Sequence, residues 1–172
     1  MVGLNKIGFG GGCHWCTEGV FQSLVGVHHV DQGWIASVGQ HKTFAEAVVV
    51  TFDANLISLA VLIEIHLLTH SSEVNHSMRD KYRSAVYFFT KEQGRKASKV
   101  LENLNTKSIN PIVTKAIPFG TFKLNKEDFL NYYKTRPDAP FCTTFIEPKI
   151  TRLLKTHQQY VDPKRLSKSL KT

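Results

Sequence analysis

Cys13 and Cys16 stand three residues apart in the run Gly8-Phe9-Gly10-Gly11-Gly12-Cys13-His14-Trp15-Cys16-Thr17-Glu18. That spacing lets two sulfurs meet within one helical turn, so that once one is oxidised the other can attack it. From Thr17 to Leu24 the apolar positions Val20, Phe21 and Leu24 follow helical spacing, and Gly26 ends the pattern. Cys13 therefore falls at or near a helix N-terminus, where unpaired N–H groups and the helix dipole favour a thiolate over a thiol. The preceding glycines leave room for a substrate to approach the backbone. Three kinds of chemistry fit the pair: a redox dithiol, half of a zinc site with His14, or inert buried cysteines. A zinc site would want a second Cys or His pair, and the third cysteine, Cys142, has no close partner. A glycine-rich loop is a poor place to bury inert thiols.

Two acids accompany the cysteines. Glu18 lies about one turn along the helix from Cys13 and reads either as an ordinary first-turn acid favoured by the dipole or as a site residue. Glu46 interrupts an otherwise apolar strand, Ala45 to Phe52, and is either a solvent-facing alternation or a positioned acid. The eight histidines show no metal-binding spacing; His70 and His76 are retained only as candidates for the loop before Tyr82.

The elements that must position these groups alternate without strict βαβ periodicity. Strands are predicted over 4–9, 27–33, 45–52, 82–89 and 112–117, and helices over 17–24, 59–70 with Ser58 as N-cap, 91–104 with Thr90 as N-cap, 126–134 and 150–160. Residues 34–44 and 71–79 read as polar loops. An α+β arrangement follows. At 172 residues, 42% of them apolar, one domain with a real core is expected and disorder is not. No leader and no membrane-spanning stretch is legible, and three cysteines are too few for a disulfide scaffold, which together suggest a soluble cytoplasmic protein. The net charge of +8 is concentrated after Pro148, in what reads as a solvated basic helical tail over about 149–172. No nucleic-acid motif accompanies it, so nucleic acid is not the expected partner.

Gly12-Cys13-His14-Trp15-Cys16-Thr17-Glu18 resembles the Gly-Cys-Phe-Trp-x-x-Glu signature of the A-class peptide methionine sulfoxide reductases, which reduce the S epimer of methionine sulfoxide. The resemblance continues in order: Gly26-Val27 with Gln32-Gly33-Trp34, Phe44-Ala45-Glu46-Ala47-Val48, Phe52-Asp53 with Ile57-Ser58, and Tyr82-Arg83-Ser84-Ala85-Val86-Tyr87 are similar to family stretches. So are Glu127-Asp128-Phe129 to Tyr133, Pro137, and Phe141-Cys142. Four departures stand out. His14 replaces Phe, the 34–44 loop lacks a second active-site tyrosine, residues 75–81 replace a Gly-Asn-Asp-x-Gly-Thr run, and Phe129 and Phe141 replace tyrosines.

The resemblance implies a two-layer, ferredoxin-like α-β plait with a mixed sheet and peripheral helices, the chain forming a single catalytic domain and acting as a monomer. It implies Cys13 as nucleophile, becoming a sulfenic acid as methionine leaves, Glu46 as the acid that protonates the sulfoxide oxygen, and Tyr82 as a hydrogen-bond donor to it. Trp15, His14 and Tyr133 would bind substrate. The resolving thiol is either Cys16, adjacent in sequence, or Cys142, which matches a position that carries a resolving cysteine in many family members; Cys16 is favoured as first partner with Cys142 relaying the disulfide outward, to be reduced by thioredoxin or another dithiol, with no bound cofactor. Because His14 replaces an apolar residue, it is also a candidate proton donor or charge partner for Cys13. A general thiol:disulfide oxidoreductase, or a module binding zinc or nucleic acid, remains the alternative.

Overall fold

The computed structural model describes residues 3–75 and 77–171, so His76 lies outside the described residues. In chain order the main elements are β1 (Leu4–Gly10), α1 (His14–Gln22), β2 (Val27–Ala36), β3 (Ala45–Asp53), α2 (Leu59–Thr69), β4 (Ala85–Phe88), α3 (Lys91–Lys107), β5 (Lys115–Pro118), β6 (Thr121–Leu124), α4 (Tyr132–Thr135) and α5 (Glu147–Thr156). One six-stranded sheet has the order β5-β4-β1-β3-β2-β6. The antiparallel set β4-β1-β3-β2 carries α1 between β1 and β2 and α2 between β3 and β4, which is the expected α-β plait. Only β4 and β5 run parallel, making the sheet mixed.

Side-chain alternation along the strands divides the core. Ile7 and Phe9 of β1, Val48 and Val50 of β3 and Val86 of β4 face the helices, where Phe9 stacks on Phe21 of α1 with ring centroids 4.6 Å apart. Such a pair adds about 1 kcal/mol to the burial itself. The other face buries a smaller set, Ile35, Ala47, Val49, Ala85, Tyr87 and Ile117. The edge strands β5 and β6 are separated only by Phe119 and Gly120, whose N–H groups bond to Phe88 O and Ala36 O. The chain thus passes from one edge to the other and draws the sheet round this second cluster. β6 goes unanticipated in the sequence because it is only four residues long and half or fully exposed, so the alternation of Phe122 and Leu124 is too short to mark a strand.

The basic C-terminal segment is not a solvated helix. Ile150 and Leu153 are fully buried, Leu166 is nearly so, and Val161 forms an isolated bridge with Leu24. Its charges cap other elements. Lys149 and Arg152 donate to the carbonyls of Thr69 and Leu68 in the last turn of α2, and Arg165 donates to Gln22 O, Leu24 O and Val27 O around the end of α1. Unpaired carbonyls and the negative end of a helix dipole attract cations there. Part of the +8 is therefore internal to the fold.

Candidate active site

The glycine loop is held rigidly before the first cysteine. Gly11 has φ 144°, and a Cβ there would come 2.6 Å from the His70 ring, so only glycine fits. His66, buried in α2, donates from Nε2 to Gly10 O at 2.7 Å, and its ring stacks on His70 at 4.1 Å. Burial drives His66 well below the usual histidine range and His70 down to about 4, so both imidazoles are neutral. His70 donates from Nδ1 to His66 O and accepts from Ser84 at Nε2. Arg79 clamps the other side, donating to Gly11 O at 2.9 Å and Tyr82 O at 3.0 Å as well as to Ser71 O and Val74 O. His70, raised from the sequence only as a loop candidate, is thus a half-buried strut. Nothing in the local sequence around Arg79 announces its role, since the acceptor that ties it to the glycine loop, Gly11 O, belongs to a distant segment.

Cys13 occupies the N-cap position of α1, which begins at His14, three residues before the helix start read from the sequence. The three cysteines are free thiols. The Cys13 sulfur accepts a hydrogen bond from the Cys16 thiol and is approached by the N–H groups of Trp15 and Cys16; together these outweigh burial and the nearby Glu46 charge and lower its pKa to about 7. Cys16 moves strongly the other way, because its proton is the one donated and because it is buried. The pair is therefore differentiated into a thiolate and a thiol. Below pH 7 Cys13 regains its proton, so its alkylation by iodoacetamide is expected to rise with pH through a midpoint near 7, well under the ordinary 9.0. Cys16→Ala, which removes the largest stabilising contact, should move that midpoint upward; an unmoved midpoint would assign the acidity to the backbone N–H groups alone. Cys142 is fully buried in the turn before α5, and burial raises its pKa.

Glu46 stands across from the start of α1. Alternation on β3 puts it on the helix-facing side with Val48 and Val50, opposite Trp34 of β2. Its Oε2 accepts the His14 backbone N–H at 3.1 Å, and Lys81 Nζ lies 3.4 Å from Oε1. The carboxylate is 9% exposed, so the solvent-facing reading does not hold. Its own N–H bonds to Lys81 O at 2.8 Å, which brings half-buried Tyr82 to the same end of the sheet, with Lys81 Nζ 5.1 Å from the tyrosine ring centre. Lys81 was not anticipated, because an isolated lysine in a polar segment carries no signal.

His14 is 7% exposed and neutral, its pKa lowered chiefly by burial. Its Nδ1 donates to Gly33 O at 3.1 Å and its Nε2 faces Asn125 Nδ2 at 3.4 Å. Nδ1 also lies 3.8 Å from Glu46 Oε2, so the ring's polar partners are Gly33, Asn125 and the Glu46 carboxylate. The ring packs edge-on against Trp34 at 5.3 Å, an apolar contact of the kind the expected Phe would make.

Trp15 is the centre of an aromatic wall. Tyr132 stacks on it at 4.2 Å with planes 8° apart, Phe129 lies at 6.0 Å, and Phe141 meets it edge-on at 5.3 Å. The buried Trp15 Nε1–H has no acceptor among the described residues. Tyr133, expected to bind substrate, does not join this wall: it is 4% exposed in the core, and its hydroxyl accepts the Ser167 N–H. The short α4 turns successive side chains to different sides, so Tyr132 takes the place beside Trp15. Among the described residues no cluster of three or more His, Cys, Asp or Glu side chains is arranged to hold a metal ion, and no helix is long and apolar enough to cross a membrane.

Residues 5–162 match the family model for peptide methionine sulfoxide reductase. The chain is 38% identical to the peptide methionine sulfoxide reductase MsrA of Deinococcus radiodurans, covering 91% of this chain and 82% of that protein. It is 34% identical to the MsrA of Nitratiruptor sp., covering 88% and 95%. Its fold is similar to that of Mxr1 from Saccharomyces cerevisiae in reduced form, with a TM-score of 0.69 and 22% identity over 83% of this chain and 91% of that one. It is also similar to Mxr1 in complex with Trx2, at a TM-score of 0.60 and 20% identity over 73% and 84%.

Proposed function

The chain belongs to the peptide methionine sulfoxide reductase family and performs thiol-dependent reduction of methionine sulfoxide, and from that premise we propose that Cys13 carries the chemistry with Glu46 as its acid. The observation that supports this most is the differentiated pair at the start of α1, a sulfur at the N-cap receiving the Cys16 thiol hydrogen bond, with the Glu46 carboxyl one backbone N–H away. The Cys13 thiolate attacks the sulfoxide sulfur. Glu46 takes up a proton from solvent as the sulfoxide oxygen reaches it and passes it to that oxygen, helped by a hydrogen bond from Tyr82, and the protonated oxygen passes to Cys13. Methionine leaves reduced by two electrons and Cys13 is left as a sulfenic acid, oxidised by two. The apolar wall on Trp15, with the His14 and Trp34 rings nearby, holds the methyl-bearing end of the side chain.

Cys16 resolves the sulfenic acid: its sulfur bonds to Cys13 and water leaves, a step favoured because the Cys16 thiol already hydrogen-bonds to the Cys13 sulfur. Cys142, buried beside α1, is the second partner that carries the disulfide outward. A thioredoxin-type dithiol, the partner class seen with Mxr1, then restores both thiols. A reducing compartment such as the cytoplasm suits three free cysteines. The chain acts as one catalytic domain, as a monomer, without a bound cofactor.

Single turnover by pre-reduced protein on the separated S and R epimers of a blocked methionine sulfoxide tests the reading: methionine from the S epimer alone supports it, and none from either epimer defeats it. Resolution has its own test. Cys16→Ser is expected to release one equivalent of methionine and leave a sulfenic acid that dimedone traps, while thioredoxin-coupled turnover falls at least about tenfold. Cys142→Ser should still form the Cys13–Cys16 disulfide. A Cys13–Cys142 disulfide formed at the wild-type rate in Cys16→Ser would reverse the order.

A further inference from the structure

We propose that Glu18 is a positioning residue of the reductase: it ties the segment entering α4 to the nucleophile helix, holds the Tyr132 ring against Trp15, and so makes Tyr132 one wall of the pocket for the methionine sulfoxide side chain. The inference deepens the pocket assignment above and rests on it.

Helix α1 begins at His14, so Glu18 sits in its second turn, 1% exposed, and not as a dipole-favoured acid in the first. It makes no ion pair among the described residues, and burial raises its pKa. A buried carboxyl of this kind is unfavourable unless donors surround it. The donors here come from the far side of the pocket wall. Asn131 N–H reaches Oε1 at 2.8 Å, Tyr132 N–H reaches Oε2 at 3.4 Å, and Gln32 Nε2 reaches Oε2 at 2.8 Å. Gln32 also donates to Phe129 O at 2.9 Å, and its own carbonyl accepts from Asn125 at 2.6 Å. Residues 129–132 are thereby fixed at three backbone points by two buried side chains.

The geometry held in this way is one the segment would not choose alone. Asn131 has φ 54°, the only positive φ outside glycine among the described residues, and Gln22, one turn beyond Glu18, donates to its side chain at 2.8 Å. At Gly19, between them, a Cβ would lie 3.2 Å from Tyr133 Cβ, so α1 and the segment approach as closely as their backbones allow. Trp15 and Glu18 are three apart on one helix, adjacent on its surface. The helix that bears the nucleophile therefore carries both the ring that Tyr132 stacks on and the carboxyl that keeps it there.

The test is steady-state reduction of blocked methionine S-sulfoxide with dithiothreitol as reductant. Glu18→Ala and Tyr132→Ala are each expected to raise KM about five- to tenfold with kcat within about twofold. The double variant should be no worse than either alone, since both changes remove the same wall. Cys13 alkylation should stay at the wild-type rate throughout. KM unchanged in a folded Glu18→Ala protein, or effects that multiply in the double variant, would overturn the proposal. If Glu18→Ala does not fold, Glu18→Gln, which keeps the shape but faces an amide N–H₂ toward an N–H donor, is read by the same criteria. An inactive wild type would instead defeat the substrate reading, which separates the two failures.

Discussion

Cys13→Ser is expected to abolish methionine formation from the S epimer, a loss on the order of a thousandfold or more when a covalent nucleophile is removed. A serine hydroxyl needs a base to become a nucleophile, and the one imidazole beside it cannot serve, because His14 donates from Nδ1 to Gly33 O and turns Nε2 toward Asn125. The thiolate, by contrast, exists without a base: Cys16 and two backbone N–H groups bring its pKa to about 7. The substitution should not unfold the protein, since position 13 is the N-cap of α1 and Cys13 makes no side-chain cap bond, whereas serine favours that position by about 1 kcal/mol. Single-turnover assays beside a thermal melt check both halves. Product within tenfold of wild type from a folded Cys13→Ser protein would move the nucleophile to Cys16 or Cys142.

Much of this site is legible in the sequence because its chemistry is local. Cys13, Cys16 and the helix that follows lie within one short run, and the spacing alone brings the sulfurs together. Glu46 announces itself by breaking an apolar strand, and strand alternation then carries it to the helix-facing side with Val48 and Val50. What alternation alone does not fix is which side the helices cover, and so the sequence leaves Glu46 open between solvent and site. The elements of the plait, β1, α1, β2, β3, α2 and β4, are legible as apolar stretches, but their arrangement as a plait is what the family resemblance implies, and β6 pairs only because β2 offers it an edge.

The illegible parts are the long-range polar contacts. Arg79, Lys81, Gln32 and Asn125 act through partners between 14 and 111 residues away or through carbonyls of separate loops, and side-chain type alone says nothing about such partners. Tyr133 and Tyr132 differ only by one step in a four-residue helix, too short for periodicity to tell which ring faces Trp15. The C-terminal charges looked like a solvated face because a run of lysines and arginines usually is one; the structure spends Lys149, Arg152 and Arg165 on helix-end carbonyls, which no local pattern encodes.

Glu46→Gln gives the second large effect and the sharper division between chemistries. General acid catalysis contributes roughly a hundred- to ten-thousandfold, so kcat for methionine S-sulfoxide should fall in that range with KM little changed. The amide is nearly isosteric and can still accept the His14 N–H, so the start of α1 stays in place, but it has no acidic proton for the departing oxygen and no charge for Lys81. Thiol–disulfide exchange between the Cys13–Cys16 disulfide and a small thiol needs no acid at this position and should proceed at the wild-type rate. A general oxidoreductase would show both activities unchanged. Electrostatics adds an opposite sign: the Glu46 charge raises the Cys13 pKa, so its removal should lower that pKa and quicken Cys13 alkylation below pH 7. Glu46→Gln protein that alkylates faster yet reduces sulfoxide far more slowly would place the loss at the oxygen, since the nucleophile itself has become more available. Slower alkylation alongside slower reduction would instead mean that Glu46 supports the thiolate, and the acid role would fall.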